Sequence, residues 1–362
     1  MVDTASREAQ KTIRVLLLAL LMVCGLELVL QVRSHVQRGQ SVFNLVTAET
    51  RYVHHPITGL KLLRPDRVFR GSEQVIRTNS LGLRSANVSP GRAPDSLRLA
   101  ILGASTVMGA YAKDNDKTLA GFLEKKLSAE WPGRQVEVIN AGIAGYTLYD
   151  QQKMLETVVA PLAPDRVLVY PGFNDFADYC GAPMPAKAAF SRKGLPTFAP
   201  PAWVLSIDLV LKNTVFLRHK PQAPVSYKDA RTIDLGPYRQ RLRKLMDSAE
   251  RLGVPLLMLT NARAYQRDQA PGEQSRLAET ARYFNPCFDV EGLHTLYERH
   301  NDAIRAEAKR AGVPAISLGE QMRGGRPYFA DSTHFSERGE ELAANIILAA
   351  IRDELSVTHA KR

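Results

Sequence analysis

Apolar positions fall along this chain in two patterns. Across residues 15–32 nearly every position is apolar, about the length a helix needs to cross a bilayer. Glu27 interrupts the run near one end, where a polar side chain can reach the interface. From residue 97 onward, short continuous apolar stretches alternate with segments of helical spacing. Residues 97–102, 136–140, 166–170, 255–259 and 315–318 read as strands, and 118–131, 149–159, 238–252, 296–311 and 336–355 as helices. Strands alternating with helices form parallel β–α–β units, and continuous apolar strands need cover on both faces. The expected fold is α/β: a flavodoxin-like three-layer α/β/α body on a five-stranded parallel sheet, preceded by a transmembrane helix.

Two regions break the alternation. Residues 41–94 are dense in turn signals with short apolar pieces between them, which predicts strands or hairpins packed on the main body and a linker at 90–94. Residues 181–236 are rich in proline and carry an apolar run at 203–211. This stretch reads as an insertion, either a cap over the site or an extra helix on the domain edge. A shorter insertion follows at 263–288. The resulting layout is a cytoplasmic N-terminus (1–14), a membrane anchor (15–32), a linker with a small β-rich preamble (33–96), and a catalytic body (97–357) interrupted at 181–236.

Composition adds little to this picture. Hydrophobic content of 45% and charged content of 23% suit a folded body of 362 residues. The net charge of +11 is spread along the chain without a nucleic-acid-binding motif, so it reads as a solvated surface. No small-x-small cleavage pattern follows the apolar run, which favours an uncleaved anchor. With nearly all the mass on its C-terminal side, the body is expected outside the cytoplasm, in the periplasm. Cys180 and Cys287 are the body's two cysteines; pairing and two separate buried thiols both stay open.

Four short blocks carry the chemistry. Gly103-Ala104-Ser105 ends the first strand with a hydroxyl in a tight turn. Asn140 to Thr147 ends the second, Gly172-Phe-Asn174-Asp175 the third, and Asp331-Ser-Thr-His334 follows the fifth. A serine hydroxyl becomes a useful nucleophile when a base takes its proton and a third group fixes the base's tautomer. In a parallel sheet, groups beyond the carboxyl ends of the strands share one edge. The histidines at 54, 55, 294 and 300 lack the spacing of a metal site.

In order and position, these blocks resemble the SGNH (GDSL-type) hydrolase family from about residue 97 to the C-terminus. The stretch from Thr78 to Arg84 also resembles the lead-in of membrane-tethered bacterial members. The resemblance implies Ser105 as nucleophile, His334 as base and Asp331 as its orienting acid. It implies the Ser105 and Gly145 backbone N–H groups and the Asn174 amide as the oxyanion hole. Gly145 is preferred to Gly142 because the family pattern runs on into a Gly-x-Thr-like segment. Ala104 departs from the pattern, standing where the family name has aspartate. The expected activity is acyl-ester hydrolysis on an acylated glycan or lipid at the cell envelope, with no metal or organic cofactor and no nucleic-acid partner. O-acyl transfer to an envelope polysaccharide is the alternative, and a non-catalytic binding module is a second.

Overall fold

The apolar run near the N-terminus forms part of one long helix, α1 (Val2–Arg38). Its stretch Gln10–Arg33 is long and apolar enough to cross a membrane: an 18-residue window within it has a mean hydropathy of 2.6, and none of that window is buried. The computed structural model describes residues 2–38, 51–70, 74–88, 95–180, 204–206 and 226–360. The linker expected at 90–94 and most of the apolar run at 203–211 lie outside these. Within the described part, the Glu27 carboxylate accepts the backbone N–H groups of Leu205 (2.9 Å) and Ser206 (2.8 Å) and a hydrogen bond from the Gln31 side chain (2.6 Å). Helix α1 and residues 204–206 form one unit and the sheet body another.

The preamble contains four short strands, β1 (Tyr52–His54), β2 (Lys61–Leu63), β3 (Val68–Arg70) and β4 (Val75–Arg77), in two separate two-stranded ribbons. The main sheet follows. Its strands are β5 (Leu97–Gly103), β6 (Val136–Gly142), β7 (Arg166–Val169), β8 (Leu256–Leu259) and β9 (Ala315–Ile316), all parallel, in the order β6-β5-β7-β8-β9. Every residue of β5 is buried. Leu97, Leu99 and Ile101 enter one core, while Ala100 and Leu102 enter the other, the two-residue alternation of a strand between two covered faces.

Helices fill both faces. After the single turn α2 (Ser105–Met108) come α3 (Leu119–Glu130), α4 (Leu148–Met154) and α5 (Gly236–Arg251). Then follow α6 (Pro271–Leu277), α7 (Glu279–Phe284), α8 (Val290–Arg310), α9 (Leu318–Gln321) and α10 (Glu337–Ala360). Leu119, Leu123 and Leu127 of α3 share a core with Ala343 and Ile347 of α10. Leu148 and Met154 of α4 share the other with Leu242 and Leu245 of α5.

Several boundaries differ from the sequence reading, each for a local reason. The fifth strand ends at Ile316 rather than at 318, because Gly319 N–H donates to Thr260 Oγ1 (2.8 Å) and draws the chain across the end of β8. Helix α8 starts at Val290 rather than 296. Asp289 caps it by accepting the Gly292 N–H (2.7 Å), and Glu291 and Gly292 in the first turn break the apolar spacing that is regular from 296. Helix α4 starts at Leu148 in a capping box between Thr147 and Asp150, and gives way to a wider turn over Leu155–Val159.

Candidate active site

The site is built at the carboxyl edge of the sheet, around the point where strand order reverses between β5 and β7. Open α/β sheets bind ligands at such a point. The buried strand β5 delivers Ser105 at the first position of α2, directly after Ala104. The loop between Phe329 and Phe335, themselves bridged as an antiparallel pair, delivers Asp331 and His334. This loop is well held. Ser332 Oγ donates to Leu277 O (2.6 Å) and accepts the Ala281 N–H (3.0 Å), while the Thr106 hydroxyl donates to Thr333 O (3.4 Å).

The three groups meet. His334 Nε2 lies 2.7 Å from Ser105 Oγ, and His334 Nδ1 lies 2.7 Å from Asp331 Oδ2. A proton on Nδ1 satisfies the carboxylate and leaves Nε2 free to accept from the serine hydroxyl. Asp331 Oδ1 also accepts the backbone N–H groups of Thr333 and His334, each at 2.9 Å. Burial alone would raise the Asp331 pKa. The donors from His334 and Thr333 outweigh it and leave the carboxyl below its ordinary value. At neutral pH Asp331 is therefore an anion aimed at the imidazole.

The oxyanion candidates lie on two neighbouring loops. Asn174 belongs to the tight turns of Phe173–Cys180 and donates from Nδ2 to Tyr146 O (2.9 Å), beside Gly145. The two glycines weighed from sequence have different roles. A Cβ on Gly142 would lie 2.3 Å from the Met108 backbone nitrogen, so this glycine lets β6 pack against α2. A Cβ on Gly145 would meet only the end of the Lys61 side chain, at 3.3 Å, but the residue sits at φ +85°, a left-handed conformation that glycine adopts freely. Asp175, next to Asn174, is buried and accepts the Leu148 N–H (3.1 Å) and a hydrogen bond from Arg241 (3.2 Å). Burial pushes its pKa up to about 7 against those two partners.

A cavity of about 110 Å³ opens beside these groups, lined by Ser105, Asn174 and His334 together with Phe173, Thr280 and Phe284. Gly145 lies outside that lining. Cys180 and Cys287 are joined in a disulfide, with their Cα atoms 5.5 Å apart. His294 and His300 are both buried away from the serine, beside Tyr265 and beside Phe176 and Tyr238 respectively. Burial pushes their pKa values down to about 4 and about 3.

Several supporting residues escaped the sequence reading. The Tyr111 hydroxyl donates to Asp331 Oδ2 (3.3 Å), with its ring 5.6 Å from the His334 ring. Arg84 is 1% exposed, and its guanidinium donates to the carbonyls of Met108 (3.2 Å), Gly109 (2.6 Å) and Ala112 (3.0 Å). The Gln74 amide donates to Gly109, Ala110 and Ala112 in the same loop. Burial pushes the Arg84 pKa down to about 10, still above neutrality. Lys61 donates to Ala144 O, and the Tyr146 hydroxyl donates back to Lys61 O. The preamble thus grips the two loops that follow β5 and β6. The turn signals of residues 41–94 predicted short strands packed on the body, and the resemblance around Thr78–Arg84 pointed to the same region, but neither gave a contact.

Residues 101–342 match the model of the GDSL-like Lipase/Acylhydrolase family. No curated protein matches the chain. Among solved structures, it is similar to an alpha/beta hydrolase enzyme from the metagenome of Lake Arreo, Spain (17% identity, 72% of this chain and 96% of that one, TM-score 0.43). It is also similar to the lipase/acylhydrolase from Enterococcus faecalis (19%, 71% and 96%, TM-score 0.42). A third is an acetyl xylan esterase from Geobacillus stearothermophilus (16%, 71% and 95%, TM-score 0.43).

Proposed function

Because the chain belongs to the GDSL-like lipase/acylhydrolase family, we propose that it is a serine-dependent acyl-ester hydrolase working through Ser105, His334 and Asp331. The observation that carries this reading is the unbroken relay from hydroxyl to imidazole to carboxylate, with both links at 2.7 Å. His334 Nε2 takes the Ser105 proton as Oγ attacks the ester carbonyl. The Asp331 anion favours the imidazolium that forms. Charge developing on the carbonyl oxygen is received by the Ser105 and Gly145 N–H groups and the Asn174 amide, each such donor being worth about 3 kcal/mol. The ester C–O bond breaks, and the alcohol leaves with the proton held by His334. Water, deprotonated by the same imidazole, attacks the acyl-serine, releases the acid and restores Ser105.

The exposed apolar stretch of α1 supports a membrane-anchored location. Residues 1–14 lie in the cytoplasm, 15–32 anchor the chain, 33–96 form the linker and β-rich preamble, and 97–357, with the insertion at 181–236, stand on the periplasmic side. The Cys180–Cys287 disulfide supports this, since such bonds persist in oxidising compartments. The substrate is an acylated glycan or lipid of the envelope.

The full-length protein in detergent is expected to hydrolyse p-nitrophenyl acetate. Ser105→Ala lowers kcat by at least ~10⁴-fold and abolishes labelling by a fluorophosphonate probe. Hydrolysis by Ser105→Ala at the wild-type rate overturns the reading. Release of acylated sugar instead of free acid, when oligosaccharide is added, reassigns the second step from hydrolysis to transfer.

A further inference from the structure

An ester held at Ser105 has two arms that need different amounts of room. The cavity beside Ser105 measures about 110 Å³. A cavity of roughly 150 Å³ is known to accept a benzene ring, so this one suits a smaller group. Ala104 contributes to its lining and is itself 5% exposed. An aspartate there, as in the family name, would bring a carboxylate to the cavity; alanine brings a methyl. The opposite character holds next to the imidazole that must protonate the leaving alcohol. There Tyr111 lies beside His334 and is 53% exposed, so that arm of the ester has access to solvent.

Two aromatic rings limit the cavity. Phe173 and Phe284 both line it and meet edge-on with ring centres 6.4 Å apart. Phe173 is backed by Phe176 (5.5 Å) and Tyr297 (6.3 Å). Phe284 ends α7, within the short insertion after β8. Three residues further on, Cys287 is bonded to Cys180, the last residue of the segment that begins with Phe173. The two aromatic walls therefore belong to segments that are covalently joined, and widening the cavity means displacing one against that bond.

We propose that this cavity is the acyl subsite, that it takes an acetyl-sized group, and that Phe284, held near Phe173 by the Cys180–Cys287 bond, limits the acyl chain length. The inference rests on the esterase reading and adds the chemical class of its acyl group: acetyl esters of larger, solvent-facing alcohols. In an apolar pocket each methylene that does not fit costs about 10-fold or more in kcat/KM.

The test compares kcat/KM on p-nitrophenyl acetate, butyrate and octanoate, with Ser105→Ala measured in parallel. The wild type is expected to prefer acetate over octanoate by at least ~100-fold. Phe284→Ala narrows that ratio by at least ~10-fold, through a gain on octanoate. Thr280→Phe, which fills the same cavity, lowers butyrate turnover about 10-fold more than acetate turnover. Thermal unfolding shows which variants are folded. If neither is, the wild-type ratio decides. Octanoate turnover within about 3-fold of acetate overturns the inference, as do folded variants that leave the ratios unchanged. A flat ratio with Ser105-dependent hydrolysis sinks the acyl subsite alone; acetate hydrolysis that survives Ser105→Ala sinks the esterase reading itself.

Discussion

The loops at the carboxyl edge of the sheet and the preamble of residues 51–88 both shape the site, by different means. The edge loops contribute side chains that can do chemistry: the Ser105 hydroxyl, the His334 ring, the Asp331 carboxylate and the Asn174 amide. The preamble contributes side chains that hold backbone. Arg84 and Gln74 occupy carbonyls of the loop after α2, and Lys61 holds a carbonyl of the loop after β6. A catalytic side chain acts through its own pKa and lone pairs. A holding side chain acts through the desolvation cost that would follow if its partners were left bare.

The contrast predicts opposite signatures for two substitutions. Asn174→Ala is expected to lower kcat about 10²–10³-fold, with little change in melting temperature. Steady-state kinetics beside thermal unfolding checks this; a large loss of stability without loss of kcat would place Asn174 among the holding residues. Arg84→Gln should do the reverse. It removes a donor from the Met108, Gly109 and Ala112 carbonyls, of which Gly109 and Ala112 keep the Gln74 amide, and costs about 2 kcal/mol of stability. Denaturant unfolding measures that cost, and an unchanged midpoint with lost activity would break the comparison.

A pH dependence tests Asp175, which lies in the catalytic region but holds structure. Its folded pKa of about 7 stands above the ordinary 3.8. Between those values the unfolded chain releases this proton and the folded one keeps it. Stability therefore falls as pH rises from about 4 to about 7, by up to ~1.4 kcal/mol per unit from this group. Denaturant midpoints at pH 4.5 and 6.5 should show the slope in the wild type and a flatter one in Asp175→Asn. An identical slope in both would assign it to another group.

Much of the fold was legible because its signals are local. Strand β5 is apolar at almost every position since both its faces are covered, and α5 shows its buried face through Leu242, Leu245 and Met246. Where the signal was weak, the boundary moved: Glu291 and Gly292 dilute the first turn of α8, and β9 is two residues long. The candidate chemistry was legible through residue type, since serine, histidine, aspartate and asparagine after strand ends are uncommon in combination. Arg84 was not. A charged residue in a turn-rich segment reads as solvated, and only its five hydrogen-bonding partners explain its burial.

The sequence by itself determined the kinds of element, their alternation and the residue types available at the sheet edge, because periodicity and turn chemistry act within a few residues. Tertiary structure alone decided which distant groups touch: Arg84 with the loop after α2, Cys180 with Cys287, and Phe284 with Phe173. Those meetings depend on how whole layers pack against one another. No short window of sequence carries the sum of long-range contacts that sets that packing.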